Sequence, residues 1–228
     1  MNPMRGLIWL CCAVSVSPAL ALSRKDPPIE CPDGALWKEA SSGSGFSDEQ
    51  GKPSRVGWCE LPSGERHGPM RTWWSNGWLR SERYFERNLE RGRAQTFFED
   101  GKPRTDTMVV GGKMEGRFVQ WHPNGHRERT MHYEFGRPHG WMSMWNESGQ
   151  LVAQGAFAEG RKEGVWESWH DNGVLKDVAR WEGGRLHGRQ LQFGEGGAFV
   201  HGTCWDRGEK TWESKSEAES RTRRCLPW

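Results

Sequence analysis

From residue 64 to residue 197 the apolar positions keep a strict rhythm. An aromatic stands every 24 residues, at Trp73, Phe97, Trp121, Trp145, Trp169 and Phe193. Five residues before each lies a glycine, from Gly68 to Gly188, and four residues after each lies another, from Gly77 to Gly197. A third series runs through Gly64, Asn88, Gly112, Gly136, Gly160 and Gly184, its one exception being the other residue that tolerates a left-handed backbone. Self-similarity at one fixed period marks a tandem array, here six units of 24 residues.

Each unit reads as a β-hairpin. The second glycine follows Asn76, Asp100, Asn124, Ser148, Asn172 or Gly196. Asn-Gly or Asp-Gly between short β-prone runs predicts a two-residue type I′ turn, which needs positive φ at both central positions. The predicted fold is all-β: an elongated single-sheet antiparallel meander of about twelve strands, two per unit. With such a turn, the first glycine of a unit faces the residue 17 places on, namely Phe85, Val109, Tyr133, Phe157 or Trp181. A large side chain can lie across a strand glycine, so these pairs are expected to pack as ring on glycine. Alternation along the strand then turns the Trp73 to Phe193 series to the opposite face.

Composition agrees with this reading and excludes others. Only 34% of the chain is hydrophobic, while it holds 30 Gly and 15 Trp, which suits a turn-rich sheet better than a helical enzyme with an aliphatic core. The formal net charge of +2 lacks the excess that a phosphate-backbone binder carries, so nucleic acid is not an expected partner.

The first residues differ in character. Arg5 precedes an apolar run from Gly6 to Val16, and Pro18 leads into Ala19-Leu20-Ala21, the pattern of a signal peptide cut after Ala21. The run is too short to span a bilayer, which needs about 20 apolar residues. The expected layout is a signal peptide over 1–21, an N-terminal cap over 22–63, the repeats over 64–197 and a C-terminal cap over 198–228. The protein is thus expected in the periplasm, the cell envelope or the exterior. Cleavage leaves Cys31, Cys59, Cys204 and Cys225, an even number in an exported chain, which reads as disulfides. Three pairings are open; Cys31 with Cys59 and Cys204 with Cys225 needs the least reorganisation, two cysteines preceding the repeats and two following them. The charged run from Glu213 to Arg224 is expected as a short helix covering the last strand edge.

Phrases such as Gly164-Val-Trp-Glu-Ser-Trp169-His-Asp-Asn172-Gly173 and Gly116-Arg-Phe-Val-Gln-Trp121-His-Pro-Asn124-Gly125 resemble the MORN repeat. The closer likeness is to its bacterial variant in the YwqK-type antitoxin group. The resemblance implies an elongated β-meander serving as a scaffold or protein-binding module, and the subgroup implies toxin neutralisation. The chain departs from that pattern in preferring Trp to Tyr, in its signal peptide and in its cysteine-bearing ends.

A search for chemistry returns little. The sequence holds no nucleophile elbow, no H-E-x-x-H and no P-loop. His122 and His170 each follow the repeat aromatic, and equivalent residues of successive hairpins stand about 9.6 Å apart, two strand spacings. That is too far to share a metal, so solvated surface histidines are expected, with no metal and no cofactor. The tryptophans are the remaining candidates. The regular aromatic series is expected to be structural. Trp74, Trp78, Trp141 and Trp166, unmatched by Trp in most other units, are the candidate partner-binding residues. The expectation is a non-enzymatic exported scaffold that binds another protein, with toxin neutralisation or binding of cell-wall glycan as alternatives.

Overall fold

A computed structural model describes residues 29–40 and 55–225. The expected signal peptide and residues 41–54 of the expected N-terminal cap lie outside the described residues. The strands are β1 (Leu36–Ala40), β2 (Arg55–Glu60), β3 (Arg66–Trp73), β4 (Leu79–Glu86), β5 (Leu89–Glu90), β6 (Gly92–Phe97), β7 (Pro103–Val110), β8 (Lys113–Trp121) and β9 (Arg127–Glu134). They continue as β10 (Arg137–Pro138), β11 (Gly140–Trp145), β12 (Leu151–Ala158), β13 (Arg161–Trp169), β14 (Leu175–Glu182), β15 (Arg185–Phe193), β16 (Phe199–Asp206) and β17 (Glu209–Ser214), followed by α1 (Glu217–Thr222). All 17 join in one antiparallel sheet in which each strand pairs with its sequence neighbour. β4 pairs with both β5 and β6, and β9 with both β10 and β11, so each of those short pairs is a single strand interrupted once. The result is the elongated all-β meander that the periodicity predicts.

The turns are exchanged relative to expectation. At the Asn-Gly sites the amide of Gly77 donates to Trp74 O at 2.9 Å and the amide of Trp74 donates to Trp78 O at 2.8 Å. Gly77 has φ +87° while Asn76 is not left-handed. This is a right-handed turn closed by a left-handed glycine, not type I′. The Asn76 side chain explains it: its Oδ1 accepts from the amide of Trp78 at 3.0 Å, an Asx contact that holds Asn in the ordinary region. The two-residue turns with positive φ at both central positions sit instead at the return connections, as at Arg87 (φ 47°) and Asn88 (φ 68°), where Glu86 pairs with Leu89.

Register survives this exchange. The three-residue loop shifts the hairpin by one place, and a bulge between Thr72 and Trp73 shifts it again, so that Gly68 faces Phe85, and likewise Gly92 Val109, Gly116 Tyr133, Gly140 Phe157 and Gly164 Trp181. The rings do not lie over those glycines, however. A side chain built on Gly116 or Gly164 would meet nothing within 4 Å. What the position requires is the backbone: Gly116 at φ +72° sits where the β7–β8 ladder slips between Asp106 and Met108. Rings cover other glycines, Trp37 at Gly57, Trp78 at Gly101 and Trp166 at Gly155.

The two sheet faces differ. On one, Met131, Met142 and Trp166 are buried with Phe118, Tyr133, Met144, Phe157 and Trp181 packed against them. This cluster supplies the burial that a single layer otherwise lacks. At the N-terminal end, β1 and β2 extend the sheet, Trp37 meets Trp73 edge-on at 6.4 Å, and the Cys31–Cys59 disulfide ties the leading segment to β2. At the other end the Cys204–Cys225 disulfide ties the chain beyond α1 to β16. The expected helix is present and packs against β16 and β17. Its buried Ser220 sits against the sheet face at Gly202, where a side chain on the glycine would come within 2.5 Å of Ser220 Cβ.

Successive units are not equivalent but paired. Trp74 Nε1 donates to Phe97 O at 3.1 Å, His122 Nε2 to Trp145 O at 2.8 Å and His170 Nε2 to Phe193 O at 2.9 Å. Two residues further on, the side-chain amides of Asn76, Asn124 and Asn172 donate to the carbonyls of Glu99, Glu147 and Glu195. Each of these six bonds joins an odd unit to the even unit after it, a 48-residue recurrence, while even units reach the next odd unit by other contacts, Lys102 Nζ donating to Pro123 O and Asn146 Nδ2 to Asp171 Oδ1. His122 and His170 are therefore half-buried pins, where solvated surface residues were expected.

Candidate functional site

The four candidate tryptophans come to rest in different environments. Trp166, on β13, is 6% exposed at the centre of the buried cluster, and its Nε1 donates to Ala156 O at 2.9 Å. Trp74 is 8% exposed, bonded to the next unit and covered by Arg80, whose guanidinium lies 4.7 Å from its ring centre. Trp78 is half-buried against Gly101. Trp141, on β11, is 66% exposed.

Alternation places Trp141 on the face opposite Met142 and therefore opposite the buried cluster. The ladder shows what shares that face beside it. The residue after each unit's first glycine pairs in turn as Pro69–Tyr84, Arg93–Met108, Arg117–His132, Trp141–Ala156 and Val165–Arg180. Tyr84, Met108, Trp141 and Val165 are all among the exposed large apolar residues. They lie across the strands from β4 to β13, a span of about 34 Å at about 4.8 Å per strand. Basic side chains alternate with them. Asp106 holds Arg93 through a bidentate pair and raises the guanidinium's affinity for its proton. Arg117 and His132 are exposed.

Among the described residues, no group of three or more His, Cys, Asp or Glu could hold a metal ion. No helix among them is long and apolar enough to cross a membrane. What the face offers is extended contact, apolar at intervals and of mixed charge between, with Arg93 held by Asp106, Glu115 beside Met108 and Glu163 beside Ala156.

The family model described as MORN repeat variant matches residues 66–87 and 162–179. Those stretches are similar to MORN-variant repeats. The first spans the β3–β4 hairpin, the second most of β13 and β14, so the MORN-variant signature falls on the hairpin itself. No curated protein matches the sequence. Among solved structures, the crystal structure of TarM overlays 42% of this chain and 19% of its own, with 13% identity and a TM-score of 0.28. A second, of a S. aureus TarM mutant in complex with Fondaparinux, alpha-GlcNAc-glycerol and UDP, gives 12% identity over the same shares and a TM-score of 0.28. The chain thus spans 19% of the length of either structure.

Sequence reasoning found Trp141 but not its row, because the row is defined by cross-strand neighbours. It also passed over the pairing of units. The signal for pairing was present: Asn recurs at 76, 124 and 172, with Asp100, Ser148 and Gly196 between.

Proposed function

We propose that the protein is an exported, non-enzymatic binding module whose six-unit meander lays its open face along an elongated protein partner, with Trp141 as the central contact. The observation that carries the reading is the asymmetry of the faces. Apolar side chains on one face close into a cluster around Trp166, while Tyr84, Met108, Trp141 and Val165 on the other line up in solvent. Isolated exposed apolar residues are ordinary, but an aligned series rimmed by polar groups marks an interaction surface. Trp and Tyr are also enriched among the residues that dominate binding energy. The test is capture from an envelope fraction with wild-type bait and a Trp141→Ala/Met108→Ala bait. One protein held in stoichiometric amount by the first and lost with the second supports the reading; equal retention by both sinks it.

The exposure of Trp141 also favours a second reading, stacking of a cell-wall sugar on its ring. The same capture separates the two, since glycan retained without protein would replace the first by the second.

A further inference from the structure

The arginines of the open face differ in what they hold. The position after each unit's first glycine is Arg93 in the second unit, Arg117 in the third and Arg189 in the sixth. Two of the three are taken by oxygens of the chain itself. Asp106 receives Arg93 on two bonds, and Arg189 donates through Nη2 to Arg223 O at 3.0 Å. Arg117 is exposed and has no hydrogen-bond or ion-pair partner among the described residues. The carboxylates nearest along the ladder are engaged elsewhere. Glu115, opposite Met108, accepts the Phe135 amide at 2.8 Å; Glu163, opposite Ala156, accepts the Gly183 amide at 2.9 Å; and Glu134 lies 3.6 Å from His139. A guanidinium at this register takes an oxygen in two units, and at Arg117 the chain supplies none.

Two further groups stand beside it on the same face. His132 pairs with Arg117 across β8 and β9 and is exposed. Ser143 pairs with Thr130, so two residues back on β11 Trp141 comes beside His132. On its other side Trp141 pairs with Ala156, a side chain too small to cover the indole, which is 66% exposed. Arg117, His132 and Trp141 thus follow one another over two strand spacings, about 9.6 Å at the backbone. The repeat does not demand this trio. One unit earlier the same positions hold Arg93, Met108 and Arg117, and one unit later Trp141, Ala156 and Val165.

We propose that Arg117, His132 and Trp141 form a site for an acidic glycan, one whose sugar rings carry carboxylates. This rests on the second reading above, in which a sugar stacks on Trp141, and adds the charge of that sugar. The indole takes the C–H face of a pyranose ring, as the apolar body of Trp suits. A carboxylate on the sugar meets the guanidinium, whose planar fork matches it on two bonds. His132, between them, donates to or accepts from a ring hydroxyl. A neutral sugar leaves Arg117 without its anion, and an acidic peptide has no flat hydroxylated ring to lie over His132 and Trp141.

The test uses the intact, disulfide-bonded protein and two fluorescently labelled hexamers followed by anisotropy, β-1,4-linked glucuronic acid and β-1,4-linked glucose, which differ only in the carboxylate. Saturable binding of the acidic hexamer is expected, at least tenfold tighter than that of the neutral one and of labelled hexaglutamate. Trp141→Ala weakens both sugars at least tenfold. Arg117→Gln weakens the acidic hexamer at least tenfold and leaves the neutral one unchanged, while Lys176→Gln, an equal loss of charge at an exposed position of β14, changes neither. Equal affinity for the two hexamers overturns the inference and leaves the sugar reading standing; no binding of either ends both. Hexaglutamate bound as tightly as the acidic sugar also overturns it, as does an acidic-sugar affinity indifferent to Arg117→Gln.

Discussion

Trp166 covers Gly155 on the neighbouring strand so closely that a methyl group on the glycine would overlap the indole ring. Gly155 lies outside the left-handed region, so its need for glycine is steric and not conformational. Gly155→Ala is expected to push the indole from the cluster and cost about 1–3 kcal/mol, the usual range for overpacking. Trp166→Ala removes the ring instead and costs about 3–5 kcal/mol. Because the three atoms nearest that methyl all belong to the ring, the double variant should be less destabilised than the sum, a coupling that urea unfolding would detect.

The pairing of units predicts unequal loops. His122→Ala removes a bond to Trp145 O, and Asn124→Ala one to Glu147 O, each worth about 1 kcal/mol. Hydrogen exchange should then speed at the Gly149 amide, in the loop they hold, with no change at Gly173, in the following odd-unit loop. Equal acceleration at both would mean that the units are uniform after all.

At the C-terminal end, Cys204→Ser with Cys225→Ser opens a loop with a sequence separation of 21. The chain-entropy model puts the loss at about 3 kcal/mol. The loss should be confined to α1 and β17, visible as exposure of Ser220 to exchange, while the Met131–Trp166 cluster keeps its protection.

The same helix carries a pH dependence. Ser214 Oγ donates to Glu219 at 2.6 Å and Arg223 at 2.9 Å, and together they hold its carboxyl below the usual glutamate range. A lowered folded-state value means the stabilisation is complete above the ordinary glutamate value, about 4.3. It is lost as pH falls through the lowered value. The Ser220 amide shift should therefore change in the acid range, and Glu219→Gln should abolish that step.

Much of this architecture was legible in the sequence. The 24-residue spacing gave the strands, and the offset of 17 from Gly68 to Phe85 gave the register. The turn type was not legible, because Asn-Gly has two solutions and the choice fell to the contact between Asn76 Oδ1 and the amide of Trp78. Where the rings lie was also hidden. The bulge at Gly116 redirects its missing side chain away from Tyr133, and that follows only from the ladder. Trp166 and Trp141 looked alike as unmatched tryptophans. One residue of phase separates them: two places after its unit's glycine for Trp166, one for Trp141. On a strand that is the difference between core and solvent.

The open face is the central claim, and hydroxyl-radical footprinting of the intact protein, alone and mixed with an envelope fraction, tests it most directly. Alone, Trp141 and Met108 should be oxidised fastest and Trp166 slowest. With the fraction added, Trp141 and Met108 should become protected while Trp166 stays as it was. A Trp141 that reacts equally in both conditions, or a protected patch confined to other residues, would contradict the account.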